Sequence, residues 1–500
     1  KEDRFNPDIR FPIKSGDLTS KKSAMPHYQT AIHWFRRDLR LTDNTALHHA
    51  VSAAKNVVPV YIVSEWRDSH RWTGSPRQEF LCGCLDALSK NLDSKGGRLI
   101  FRKGDQVEQL EKLIRDTKAD AIYFNRDPDP HGRDAEQKVI ELCRRIGIDV
   151  YHFKDAVIHE HDEVLTGAST PYKVYTPYAR SWFSIDKPAP VPRVKKMSTP
   201  KGIASDPAPT LETWNLPKNP ARIIESGEKA ARQRFRISLK SAIPTYADKR
   251  NDPTGITTSL MGPDLRFGTL SVREVFHKTQ KAMESAAVSS QRESIQTFQK
   301  QLVWREFFMA ILSHYPEVLE TEFNPTWRGL HWDDPDDDDK FEKWRKGMTG
   351  FPIVDAGMRQ LLATGFMHNR IRMIVSMFLT KDLHVDWRLG EAHFMQWLVD
   401  GEIANNNGGW QWSAGTGADS APYFRIQNPW TQTARFDPDG KYIKRWVPEL
   451  AEVDPKRFKK PPAPLDPLAD DYPKPIVDHK IERERTLDIF KTRRETHTSK

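Results

Sequence analysis

Five hundred residues, 38% hydrophobic and 29% charged, with a mean hydropathy of −0.68, describe a globular chain long enough for roughly three domains. The longest apolar run, Val57 to Val63, falls well short of the roughly 18 residues of a membrane span. Three cysteines, Cys82, Cys84 and Cys143, without a CxxC or HxxxH partner, exclude a disulfide framework and a zinc site, and point to a reducing compartment. A net charge of +9 permits a polyanionic partner.

Residues 1–29 are polar, mix both signs and lack an apolar h-region, so they read as a flexible arm rather than a secretory signal. The chain does not open on methionine, which leaves an upstream address open. From residue 30 short β-branched runs alternate with helical periods. Ala31 to Phe35, Val57 to Val63, Arg98 to Phe101, Ala121 to Phe124 and Asp149 to Phe153 read as strands. Helices follow Asp43-Asn44 and span Arg77 to Leu92, Val107 to Thr117 and Ala135 to Ile146. This alternation predicts a Rossmann-like parallel sheet covered on both faces over residues 30–155. No GxGxxG and no Walker loop support a dinucleotide or nucleotide reading of it.

Residues 156–225 carry ten prolines and read as a connector. Amphipathic helices dominate from 226, giving an all-helical domain over 226–490. Its final charged segment, Ile476 to Thr496, is helix-like, and residues 491–500 form a short tail. Ten of the fifteen tryptophans fall between residues 301 and 450, a density that stability alone does not require.

Three strings stand out in the helical region. Trp304-Arg305-Glu306-Phe307-Phe308 sets aromatic and basic residues side by side. In Met367 to Met373, Asn369 and Met373 are four apart and share a helix face, flanked by Arg370 and Arg372. Asp400 to Trp412 is a run of acids, amides and glycines closed by Trp410 and Trp412. Each string alone has an ordinary reading, since a helical tryptophan is usually core and an Asn/Gly cluster usually a turn.

In this order and spacing the strings resemble the photolyase/cryptochrome family, over roughly residues 30–490. His33 to Arg40 is similar to the family's opening signature, and Gly408 to Gly417 followed by Ala421 to Ile426 is similar to its flavin-domain signature. The Asn369/Met373 pair resembles the cyclobutane pyrimidine dimer branch. The resemblance implies FAD held in the helical domain. Tyr246, Thr258, Ser259 and Met261 fall in the pyrophosphate loop, and Arg305, Arg372, Asp400 and Glu402 around the phosphates, ring system and adenosine. Asn406 falls opposite flavin N5, where an amide is expected to donate to the reduced, anionic ring. Trp410, Trp387 and Trp332 line up with an electron relay to the surface; the aspartates from Asp333 to Asp339 beside it read as a solvated loop.

For the substrate, the resemblance implies aromatic walls from Trp304 and Trp412, an apolar contact from Met373, a base-edge contact from Asn369, and phosphate contacts from Arg370 and Arg425. Gln301 departs from the glutamate usual in the dimer-repair branch. An amide still hydrogen-bonds a pyrimidine edge but cannot supply a carboxylic proton. Asp127 and Asp129 resemble contacts to a second, antenna chromophore, an 8-hydroxy-deazaflavin or methenyltetrahydrofolate.

The expected activity is light-driven repair: splitting of cyclobutane pyrimidine dimers in DNA with electrons from photoexcited reduced FAD, by a deoxyribodipyrimidine photo-lyase. The alternative is a cryptochrome-type blue-light photoreceptor with the same flavin and tryptophans. A monomer acting on dimer-containing DNA without a membrane is expected, cytoplasmic in a bacterium or nuclear in a eukaryote, and not secreted. Trp327, Trp344, Trp397, Trp430 and Trp446 are read as packing.

Overall fold

The computed structural model describes residues 27–64, 72–463 and 466–498. Five parallel strands, β1 (Tyr28–Phe35), β2 (Ala54–Val63), β3 (Ile100–Lys103), β4 (Ala121–Asn125) and β5 (Asp149–Phe153), form a sheet in the order β3-β2-β1-β4-β5. Side chains alternate between its faces, as the two-residue strand period requires. Ala31 and Phe35 of β1, with Val57, Tyr61 and Val63 of β2, enter one core. Ile32 and Trp34, with Val58, Val60 and Ile62, enter the other. Both faces are thus covered, as the sequence predicts.

The proposed arm is shorter at its inner end than expected. Tyr28 and Gln29 belong to β1, because the Tyr28 hydroxyl donates to Asp149 at 2.6 Å and the Asp120 carboxylate accepts from Gln29 N at 2.9 Å. The rest of the expected arm, residues 1–26, lies outside the described residues.

The connector is not featureless. Tyr175, Tyr178, Ala179 and Trp182 recur at helical spacing and are the buried face of a helix, Tyr175–Ser184. That helix packs on the long helix Ser289–His314. Four further helices, Pro352–Thr364, Asn369–Lys381, Trp387–Trp397 and Ile403–Ala414, enclose the largest apolar cluster. Gly390 permits their closest approach, since a Cβ there would stand 2.1 Å from the Trp410 ring. The final helix, His479–Thr498, packs outside this cluster and runs through residues 491–498 of the expected tail, the last two residues lying outside the described ones.

The opening signature ties the two halves together. Asp38 accepts from Asn44 Nδ2 at 2.9 Å and Asn125 Nδ2 at 2.7 Å. Arg40 reaches Asp155 at 2.7 Å and the Gly268 carbonyl, in the helical half, at 3.0 Å. Among the described residues no helix is long and apolar enough to cross a membrane, and no cluster of His, Cys, Asp and Glu could hold a metal.

Candidate functional site

A cavity of about 500 Å³ opens in the helical half. One wall is the helix Ile403–Ala414, whose N-terminus is fixed by Glu402: its carboxylate accepts from Asn405 N at 2.9 Å and Asn405 Nδ2 at 2.7 Å, a side-chain cap of the first turn. Burial would raise the Glu402 carboxyl, but Arg37, Arg266 and Asn405 hold it below its ordinary range. Arg37 Nη2 lies 3.3 Å from Glu402 Oε1, so the α/β half helps to set this helix.

Further along that helix Asn406, Gly409, Trp410, Trp412 and Ser413 face the cavity. Gly409 presents bare backbone, since a Cβ there would meet no protein atom within 4 Å. The Asn406 amide nitrogen donates to the Glu391 carbonyl at 3.0 Å. Its Oδ1 has no donor among the described residues. One N–H of the amide is thus anchored on the protein, and its second N–H and its oxygen are left for a ligand.

Opposite stand Arg372 and Asp400, joined by two contacts of 2.9 and 3.0 Å, with Arg372 Nε on the Met367 carbonyl at 2.8 Å. Arg305 donates to the Ala156 and Leu265 carbonyls at 2.7 and 3.2 Å; burial, then the Arg37 charge, push its guanidinium down to about 10. Tyr246 and Thr258 line the cavity. Ser259 and Met261 do not. Met261 is buried in the apolar cluster around the long helix, and the Ser259 carbonyl accepts from Ser238 at 3.1 Å.

The mouth gathers Gln301, Trp304, Asn369, Arg370 and Met373. Asn369 Nδ2 and Met373 Sδ are 4.0 Å apart, as helical spacing requires. Trp304 is backed by Tyr175, stacked at 3.7 Å with ring planes 7° apart, so the proline-rich stretch supplies the support of a site wall. Gln301 turns back to the Thr297 carbonyl at 3.3 Å. Arg370 rests on Asn251 at 2.8 Å and over the Phe436 ring at 4.6 Å. Burial, then the charges of Arg435 and Arg250, lower its guanidinium. Among the described residues no carboxylate pairs with Arg250, Arg370, Arg425 or Arg435. Arg425 is exposed and does not line the cavity.

Of the three relay tryptophans only Trp410 lines the cavity; its buried indole N–H has no acceptor among the described residues. Trp387 is buried behind it and donates to Glu322 at 3.2 Å, and Trp332 packs half-buried on the same cluster. Trp344, read as packing, meets Trp410 edge-on at 6.0 Å and donates to the Val375 carbonyl at 3.0 Å. Asp333 corrects the solvated reading of its run: it is bound by both arms of Arg485 on the final helix.

In the α/β half Asp127 lies 3.0 Å and Asp129 3.6 Å from Arg37. Asp129 also caps the helix Pro130–Ile146 by accepting from Gly132 N at 2.8 Å. Burial opposes the Asp127 charge, yet Arg37 and Arg36 hold its carboxyl below the usual range; burial and the Asp127 charge raise Asp129. The adjoining space is about 90 Å³.

Sequence reasoning missed Tyr175, Phe308, Phe394, Leu398, Asn405 and Arg250. The helical spacing from Tyr175 to Trp182 signals the first, and Phe308 and Asn405 lie inside strings already singled out; Phe394, Leu398 and Arg250 carry no local sign.

A parallel α/β sheet is joined to a helical domain that encloses a polar, aromatic-walled cavity, the setting of a cofactor-binding protein. The model for "FAD binding domain of DNA photolyase" matches residues 298–492 and that for "DNA photolyase" residues 31–195. The deoxyribodipyrimidine photo-lyase of Agrobacterium fabrum is 40% identical over 475 residues, covering 92% of this chain and 97% of that one. A bacterial class III photolyase from Agrobacterium tumefaciens superposes with a TM-score of 0.86 at 38% identity, covering 95% of this chain and all of that one. A cryptochrome of Synechocystis superposes with a TM-score of 0.84 at 26% identity, covering 93% of this chain and all of that one. The chain belongs to the DNA photolyase family, and FAD is its cofactor. The cavity fits that cofactor: Gly409 leaves room for a ring, and the polar groups around it have capacity to spare.

Proposed function

We propose that this protein splits cyclobutane pyrimidine dimers in DNA under blue light. The observation that carries the reading is one cavity joining a flavin-holding wall to an apolar, amide-bearing mouth beside arginines that no carboxylate neutralises. Uncompensated guanidiniums suit phosphates, and aromatic walls suit an extruded base pair; a dimer leaves its stack at lower cost than a normal pair.

Arg305, Arg372, Asp400, Tyr246 and Thr258 bind and orient the cofactor. When bound, it supplies light-driven one-electron transfer to the dimer and takes the electron back after the ring opens. Asn406 would hydrogen-bond the ring through its amide and, being an amide, releases no proton of its own. Trp304 and Trp412 clamp the dimer, Met373 packs on it and Asn369 meets its polar edge. Trp410, Trp387 and Trp332 would form the route by which electrons from an external reductant reach the bound cofactor, Arg370 and Arg425 hold phosphates, and the protein acts as a monomer. Near Asp127 and Asp129 an antenna, deazaflavin or folate, adds light-gathering; the 90 Å³ space must widen to accept it.

A photoreceptor is the second reading, favoured by Gln301 in place of the acid of the dimer-repair branch. Blue light, purified holoprotein and dimer-containing DNA separate the two: loss of dimers supports repair, and intact dimers alongside normal flavin photochemistry support the photoreceptor.

A further inference from the structure

Lys381 closes the helix that carries Asn369 and Met373, and it is fully buried. Among the described residues the one hydrogen bond of Nζ runs to the Tyr423 carbonyl at 2.9 Å, and Nζ stands 5.1 Å from the centre of the Phe490 ring. Among the described residues no carboxylate reaches Nζ. Asp382, its neighbour, is taken up by His479 of the final helix at 2.5 Å, and Glu482 of that helix by His384 at 2.9 Å. Burial pushes the ammonium down to about 7, with Asp382 opposing. An aliphatic side chain would fill this space without that penalty, so packing does not explain a lysine here.

The residue it holds begins an exposed element. Tyr423 precedes Phe424, 61% exposed, and Arg425, in a stretch without helix or strand between Ala414 and Pro429. Tyr423 is anchored at both its carbonyl and its ring. Its ring stacks on Phe490 at 5.4 Å with planes 5° apart, and Trp327 packs on both rings at 5.7 and 5.1 Å. Gly415, at φ +83°, makes room, since a Cβ there would stand 3.3 Å from Lys381 Nζ.

We propose that Lys381 and Phe490 are positioning residues that hold the Tyr423–Arg425 stretch in the shape that meets DNA, which makes the final helix part of the substrate-binding apparatus. The proposal rests on Arg425 as a DNA contact, so the test carries a control for that reading. Dimer-containing duplex is titrated against holoprotein with Lys381→Met, with Phe490→Leu, and with Phe424→Ala plus Arg425→Ala, alongside flavin spectra and repair kinetics.

Lys381→Met and Phe490→Leu are each expected to weaken DNA binding roughly tenfold, about 1.4 kcal/mol, raising KM while kcat and the flavin spectrum hold. Added to the Phe424/Arg425 double variant, they should change affinity little further, because they act through those residues. If the double variant loses affinity but Lys381→Met and Phe490→Leu do not, the positioning role is overturned and the DNA contact stands. If the double variant binds like the parent, both fall. Loss of flavin or of kcat at unchanged KM marks both residues as merely structural and also overturns the proposal; should Lys381→Met fail to fold, Phe490→Leu decides.

Discussion

In the α/β half Arg36, Arg37, Asp127, Asp129 and Glu136 close on one another around about 90 Å³. The helical half keeps about 500 Å³ open and, among the described residues, leaves Arg250 and Arg370 without a carboxylate partner and the Asn406 oxygen without a donor. Buried charge that is paired holds a fold together; polar groups left unpaired beside a large cavity await a ligand. The contrast explains why the helical cavity carries the function and why the acids of the other half act first as braces.

The contrast can be broken most severely at Arg372. Arg372→Gln leaves Asp400 without its cation in the cavity wall and removes a donor to the cofactor; FAD affinity should fall roughly a hundredfold, about 2.7 kcal/mol, read from bound flavin per protein after dialysis. Retention like the parent's would mean that this pair is structural. Removing Trp304 comes next: at about 1–3 kcal/mol per stacked base, Trp304→Ala should cost roughly tenfold or more in dimer affinity. Tyr175→Ala should cost less, because it removes the backing rather than the wall. Equal losses would put Tyr175 in direct contact with the substrate.

Gln301→Glu is expected to raise the quantum yield of repair severalfold, since a carboxylic acid can supply a proton that the amide cannot. An unchanged yield makes Gln301 a neutral variant. The smallest expected effect is on stability against pH. Burial pushes His368 and His159 down to about 4 and His393 down to about 3, so these rings are neutral when folded and bind protons more readily when unfolded. The unfolded chain therefore takes up more protons as pH falls below about 6.5. Tm should decline from there towards pH 4 and stay flat between pH 7 and 8 as far as these groups act. His393→Phe should blunt the decline.

The sheet was legible because β1 and β2 alternate strictly between two cores, a local pattern. Trp304, Asn369, Met373 and Trp412 were legible because each sits in a short string whose spacing survives folding. The ion pair that holds Glu402 was not, since Arg37 lies 365 residues away. Tyr175 was obscured by the prolines around its helix. The orientation of the Asn406 amide depends on the Glu391 carbonyl of a neighbouring helix, and no sequence pattern reports it. Met261 shared the loop of Thr258 yet turned into the core, which a motif read residue by residue does not distinguish.

The most direct measurement is the light-dependent loss of cyclobutane pyrimidine dimers from DNA incubated with purified holoprotein carrying reduced FAD. Dimers that disappear under blue light and persist in the dark, with the light-dependent loss abolished when Trp304 and Met373 are both replaced by alanine, are the predicted result. Dimers that persist in the light, despite a filled flavin site and intact DNA binding, would contradict it.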